Sequence, residues 1–172
     1  MFEMTAPSNE AGFRACLFQL AGQSFSLRLD SVGEIVPMAA LSRPPSMPSI
    51  LEGFLNLRGT AHPVLRIAGL LGLPQARLEL HTPLVIVRGR PAPLALLVER
   101  VTGIVSVPVG GLVPISETDS FNGCVDGRLT AEGHVAHLLS LDRLLLEKEQ
   151  QILTEFQANE ASRLRQIDQG PS

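Results

Sequence analysis

The sequence contains no tryptophan or tyrosine, seven phenylalanines and only two cysteines in 172 residues. Each shortage excludes something. Cys16 and Cys124 lie far apart and form no C-x-x-C pair, so they cannot build a disulfide framework, and a reducing cytoplasm is the expected setting. Cys16 falls in an apolar segment and reads as a small buried hydrophobe, whereas Cys124, in a glycine-rich turn, is expected to be exposed and oxidisable. With no Trp or Tyr to stack on bases, no basic cluster and a net charge of −3, nucleic-acid binding is not expected. No run of about 18 uncharged apolar residues could span a bilayer. The stretch before Arg14 carries Glu3 and Glu10 without an apolar run, and reads as a short disordered lead (1–12) and not as a signal peptide or anchor.

Catalytic signatures are missing too. There is no G-x-S-x-G elbow, no phosphate-binding glycine loop and no dinucleotide fingerprint. His134-Val-Ala-His137 is the only H-x-x-H, and on a strand residues three apart point to opposite faces and cannot grip one ion. His62 and His81 fall in turns beside prolines, and the acids, among them Asp30, Glu34, Glu99, Asp126 and Asp142, are scattered over polar positions and element ends. No enzyme activity, metal or cofactor is expected.

What is present is an aliphatic chain with 13 prolines, 15 glycines and 45% hydrophobic residues, which suits many short strands and turns. Phe13 to Leu20 and Ser24 to Asp30 read as a hairpin, the second strand alternating Phe25, Leu27 and Leu29 with polar residues. Val32 to Val36 reads as an extension of that strand up to Pro37, and Arg43 to Pro48 as a proline-rich loop. Phe54 to Gly59 and Pro63 to Ile67 follow, then a short helix ended by Gly69 or Gly72. The order then returns in Leu84 to Val87, Leu94 to Val98 and Gly103 to Val107, with Asp126 to Gly133 read as a long turn. Asp30 to Val36 aligns with Glu99 to Val105, and Val64 to Ile67 with Leu138 to Leu141, an internal repeat with an offset of about 70 residues. The expected fold is therefore mainly β: two small five-stranded β-barrel subdomains sharing a hydrophobic core, one over about 13–74 and one over about 80–146.

From Ser140 to Ile167 there is no Pro or Gly, and an extended C-terminal α-helix is expected, capped by Ser140, with Asp142 in its first turn. Its first turns should pack on the barrels. The extension 147–172 is either a partner site or a solvated, fraying tail, because acidic residues interrupt its apolar face.

The series Val32-x-Glu34-Ile35, Arg43-x-Pro45-x-x-Pro48 and Gly53-x-x-Asn56-Leu57-Arg58-Gly59-x-x-x-Pro63-Val64 resembles the CheW-like domain of bacterial chemosensory arrays. The likeness continues through Leu97-Val98-Glu99-x-Val101-x-x-Ile104 to Leu138-Leu139-x-Leu141-Asp142-x-Leu144-Leu145, covering about residues 13–146. It implies a non-catalytic cytoplasmic adaptor, associated with receptor arrays at the inner membrane. Its partners would be the cytoplasmic tip of methyl-accepting chemoreceptors and the regulatory domain of a CheA-type histidine kinase. It assigns receptor contact to Val32, Glu34, Gly53, Asn56, Arg58 and Gly59, and leaves the kinase surface without assigned residues. The alternative is a kinase-binding inhibitor or coupling subunit of a non-chemotaxis pathway that touches no receptor.

Each residue also has a structural explanation: positive φ at Gly53 and Gly59, core packing at Val32, loop hydrogen bonding at Asn56. Arg58 has no acid within four residues and must find its carboxylate across the fold or on a partner. Arg66 stands where such domains usually carry an acid, and a cation at a helix N-terminus should cost about 1 kcal/mol. That departure, Gly103 in place of an acid and the extended helix suggest a divergent member serving a pathway other than swimming chemotaxis.

Overall fold

A computed structural model describes residues 12–75, 78–116 and 121–168. The expected lead (1–12), apart from Gly12, and the last four residues of the extension lie outside them. The chain runs β1 (Phe13–Leu20), β2 (Gln23–Arg28), a 3-10 turn (Leu29–Ser31), β3 (Val32–Pro37), β4 (Leu51–Leu57), β5 (Thr60–Arg66) and α1 (Ile67–Leu70). It continues with β6 (Pro83–Val87), β7 (Ala95–Leu97), β8 (Arg100–Val107), β9 (Leu112–Val113), β10 (Val125–Ala131), β11 (His134–Leu139) and α2 (Leu141–Asp168). The fold is mainly β with two sheets and a C-terminal helix. Two expectations change locally. Val32 to Val36 does not extend β2, because the 3-10 turn carries the chain into the other sheet. Asp126 to Gly133 is not a long turn: its strict burial alternation makes it β10, closed by a two-residue turn onto β11.

One sheet has the order β8-β1-β2-β11-β10-β9 and the other β3-β6-β7-β5-β4. Sheet membership therefore crosses the division expected between 74 and 80. In the first sheet β1 pairs antiparallel with β8 and β2 parallel with β11; in the second β6 pairs antiparallel with β3 and β7 parallel with β5. Each half of the repeat thus contributes its first hairpin to the sheet built by the other half. These central strands are buried in runs, Ala15 to Phe18 and Leu84 to Ile86, as strands covered on both faces must be.

The repeat extends to irregularities. Leu51 pairs with Leu65 and Gly53 with Val64, leaving Glu52 as the extra residue of a bulge; Val125 pairs with Leu139 and Gly127 with Leu138, leaving Asp126 in the same role. The short sixth strand β9 meets Arg128, and at the matching place in the other sheet a single bridge joins Ser42 to Phe54.

One apolar cluster joins the sheets, with Phe18 and Phe25 against Leu65, Val85 and Leu96, and it takes in Ile67, Leu141 and Leu144 from the two helices. Smaller clusters lie within each sheet, Leu17, Leu129 and Leu138 in one and Leu55, Val64 and Leu84 in the other. The two β units share a core, and α2 starts inside it. Ser140 caps α2, its Oγ accepting from Arg143 N at 3.3 Å.

Candidate functional site

The segment Asn56 to Gly59 closes the β4–β5 hairpin. Leu57 pairs with Thr60, and the two intervening residues, Arg58 and Gly59, have φ of +51° and +83°. Positive φ at both central positions is the turn that matches strand twist, and it favours glycine at the second. Asn56 Oδ1 accepts from Gly59 N at 3.0 Å, so this side chain secures the turn from within. The turn aims Arg58 outward, with 71% of its side chain exposed. Its guanidinium donates from Nη2 to Glu34 Oε1 on β3.

That ion pair joins elements at opposite edges of one sheet, since β3 and β4 are its first and last strands. Four of the six residues singled out in the sequence, Glu34, Asn56, Arg58 and Gly59, are at least partly exposed, and the other two are not. Val32 is buried in the shared core while Glu34, two residues on, is half-exposed. Gly33 explains the difference: as the extra residue of a bulge it breaks the period of two and lets Val32 turn in and Glu34 turn out. Gly53 is also buried, and a Cβ there would lie 2.9 Å from both Leu41 Cβ and Ser42 O. Close approach of the 41–43 segment, and not a turn, requires glycine at this position.

A second cluster underlies the loop beside Gly53, centred on an acid with no expected role, Glu52. Glu52 is buried, and its carboxylate accepts from Arg43 Nη2 at 2.9 Å and from Arg66 Nε at 2.8 Å. Arg43 Nε also donates to the Glu52 carbonyl at 3.0 Å. Burial works to raise the Glu52 carboxyl, but hydrogen bonds and charge from Arg43 and Arg66 prevail and hold it below its ordinary value. Arg66 accordingly stands at the start of α1 with its charge met by Glu52, so the expected dipole penalty finds a compensating partner. The available signal was an acid inside the apolar run Leu51-Glu-Gly-Phe-Leu55, but period-two reading hides it because Glu52 occupies the bulge.

The far end of the same loop meets α2. Ser49 N lies 3.1 and 3.2 Å from the two carboxylate oxygens of Glu155, and Ser49 Oγ donates to Glu155 Oε2 at 2.5 Å. Ile152, one turn earlier, packs against the shared core. Docking thus reaches past Leu146 to Glu155, farther than the acid-interrupted apolar face suggested, while Leu153, Phe156 and Leu164 are exposed.

Both thiols are buried, which corrects the expectation of an exposed Cys124. Burial, aided by the charge of Glu147 against the opposing pull of Arg143, pushes the Cys124 thiol up to about 11; burial also raises Cys16. Neither is a ready nucleophile. Among the described residues no group of three or more His, Cys, Asp or Glu side chains could hold a metal ion. What the exposed patch offers chemically is a fixed turn presenting a planar donor tethered at one corner by a carboxylate.

Comparison with known proteins places this geometry in context. A family model described as the CheW-like domain matches residues 14–149. Chemotaxis protein CheW of Thermotoga maritima is 22% identical over 135 residues, covering 78% of this chain and 89% of that protein. Probable chemotaxis protein CheW of Rhizobium etli is 26% identical over 143 residues, covering 82% and 92% respectively. The crystal structure of scaffolding protein TtCheW from Thermoanaerobacter tengcongensis has the same fold, with a TM-score of 0.68 at 21% identity over 77% of this chain and 91% of that one.

Proposed function

The chain belongs to the CheW-like domain family, and from that premise we propose that it is a non-catalytic scaffold of a bacterial chemosensory pathway. It couples the cytoplasmic tips of methyl-accepting receptors to a CheA-type histidine kinase. The observation that carries the reading is the exposed Arg58, held on a left-handed two-residue turn and oriented by Glu34 from the opposite edge of the sheet. A receptor tip is a helical surface, and a preoriented guanidinium with free in-plane donors suits a carboxylate or carbonyl on it. The relatives named CheW and the scaffolding protein of matching fold support the adaptor role. Both cysteines are buried.

Work at the cytoplasmic face of the inner membrane follows from that role, and no helix among the described residues is long and apolar enough to cross a membrane. The test is co-sedimentation of the purified protein with receptor-containing membranes, with and without the kinase. The native chain should sediment with receptors alone, and Arg58→Ala should lose that association. Sedimentation only when kinase is present would overturn receptor contact and leave a kinase-binding subunit.

A further inference from the structure

A different surface, sharing no residue with the Glu34–Arg58 patch, gathers arginines from both sheets. A cavity of about 300 Å³ is lined by Phe13, Arg14, Arg28, Leu29, Asp30 and Arg88. Arg14 and Arg28 come from β1 and β2; Arg88 follows β6 in the other sheet. Five other arginines, 43, 58, 66, 90 and 163, each meet a carboxylate. None of the three around this cavity is within ion-pair distance of one among the described residues. Among the described residues the lining thus holds three cations and one acid, Asp30, a local excess of positive charge in a chain of net charge −3.

Two of the three guanidiniums are already oriented. Arg28 Cζ lies 4.1 Å from the centroid of the Phe13 ring, a cation–π contact that holds the guanidinium beside the cavity. Arg88 donates from Nε to the Asp30 carbonyl at 3.2 Å and from Nη2 to the Leu29 carbonyl at 3.4 Å, which ties the side chain to the 3-10 turn. Arg14 is exposed beside them. An anion entering here meets donors whose ordering is largely complete before binding.

We propose that the cavity formed by Arg14, Arg28 and Arg88 is a binding site for an acidic peptide segment of a protein partner, taking its side-chain carboxylates in bidentate fashion. Asp30 on the rim reduces the local charge from three positive to a net of two. That balance suits two carboxylates spaced along a chain better than a dianion concentrated on one phosphorus. The apolar edges of Phe13 and Leu29 accept the methylenes that carry such carboxylates. A long polyanion such as nucleic acid is disfavoured, because the chain beyond this cavity is net acidic and would repel it.

The test is fluorescence anisotropy with a labelled hexaglutamate peptide on the full chain, at low and at physiological ionic strength. The native chain should bind, and salt should weaken the binding. Arg14→Ala combined with Arg88→Ala should cost roughly tenfold or more, and Arg28→Lys several-fold, since an ammonium keeps the charge without the fork. Arg165→Ala, an exposed cation on α2, should change nothing. Melting curves check that each variant is folded; should Arg28→Lys fail to fold, the double variant at two exposed positions carries the result. Undiminished binding by the double variant overturns the proposal, as does an equal loss in Arg165→Ala. Displacement of the peptide by an equimolar amount of inorganic phosphate would also overturn it, in favour of a phosphate pocket. All these outcomes are independent of receptor membranes, so failure here leaves the adaptor reading standing.

Discussion

Arg58 and Glu34 belong to opposite edges of the five-stranded sheet, yet their side chains form an ion pair. The sheet must therefore coil enough to bring β3 and the β4–β5 turn together, and the pair marks where its edges meet. Because the arginine is 71% exposed and the glutamate 37%, the pair should contribute only about 0–1 kcal/mol to folding. Arg58→Ala and Arg58→Lys should leave the melting curve almost unmoved while weakening association with receptor membranes roughly tenfold or more. Exchange of the two charges, Glu34→Arg with Arg58→Glu, should restore stability more fully than binding. Full-strength binding by Arg58→Ala would remove the residue on which the adaptor reading depends.

Glu52 gives the fold its clearest pH dependence. Its folded carboxyl is held below the ordinary value, so its contribution is present above the unfolded value of 4.5 and is lost as pH falls through the lower folded one. Thermal melts from neutral pH down to pH about 3 should show an acid loss in the native chain that is smaller in Glu52→Gln. At neutral pH that variant should be less stable by about 1–3 kcal/mol, because Arg43 and Arg66 lose their shared anion. An unchanged acid limb would mean the cluster is not what acid attacks.

Much of this could be read from residues alone, because β1 is a short apolar run, β2 alternates apolar and polar residues in sequence, and the repeat rests on local pattern and glycine placement. The turn at Arg58 and Gly59 was legible for the same reason, and Arg58's lack of a nearby acid left its carboxylate either across the fold or on a partner; the structure places one across the fold, on Glu34. Pairing between halves was not legible. Exchange of hairpins between the sheets leaves each strand's own pattern unaltered, so a boundary drawn at the middle of the repeat looks sound in the sequence and is crossed by hydrogen bonds in the structure. Bulges at Gly33 and Glu52 are equally silent, and they decide that Val32 is core and that Glu52 is an internal anion. Glu155 on Ser49 is a contact over 106 residues of sequence, for which no local pattern exists.

For α2 the expected outcome divides at Phe156. Truncation after Gln157 should leave the β core's melting temperature nearly unchanged, since the described residues beyond it show only the Arg163–Glu160 pair within the helix. Truncation after Gln150 removes Ile152 and Glu155 and should lower stability by about 1–2 kcal/mol, a few degrees for a chain of this size. Hydrogen exchange offers a finer check. Glu155→Ala should speed exchange at the Ser49 amide and leave the Gly59 amide, bonded to Asn56, as slow as before. Equal stability of both truncated chains would show that residues 151–157 of the helix add nothing by docking.

Gly53 and Gly59 are separated by the same kind of test. At Gly59 a Cβ would meet nothing within 4 Å, but φ is +83°, so Gly59→Ala carries only backbone strain of about 1 kcal/mol. At Gly53 the obstacle is contact: the new Cβ would lie 2.9 Å from the Ser42 carbonyl, part of the bridge in which Ser42 N donates to Phe54 O at 2.9 Å and Phe54 N to Ser42 O at 2.8 Å. Relief requires moving the loop and straining that bridge and the Arg43–Glu52 contact beside it, so Gly53→Ala should cost about 2–3 kcal/mol. Calorimetry of the two variants decides the order. If receptor association falls in Gly53→Ala while its melting temperature holds, the residue touches the partner directly and the buried position described here does not account for it. If both fall together, and Gly59→Ala retains binding, Gly53 acts through the packing of the 41–43 segment, and the partner surface narrows to Glu34, Asn56 and Arg58.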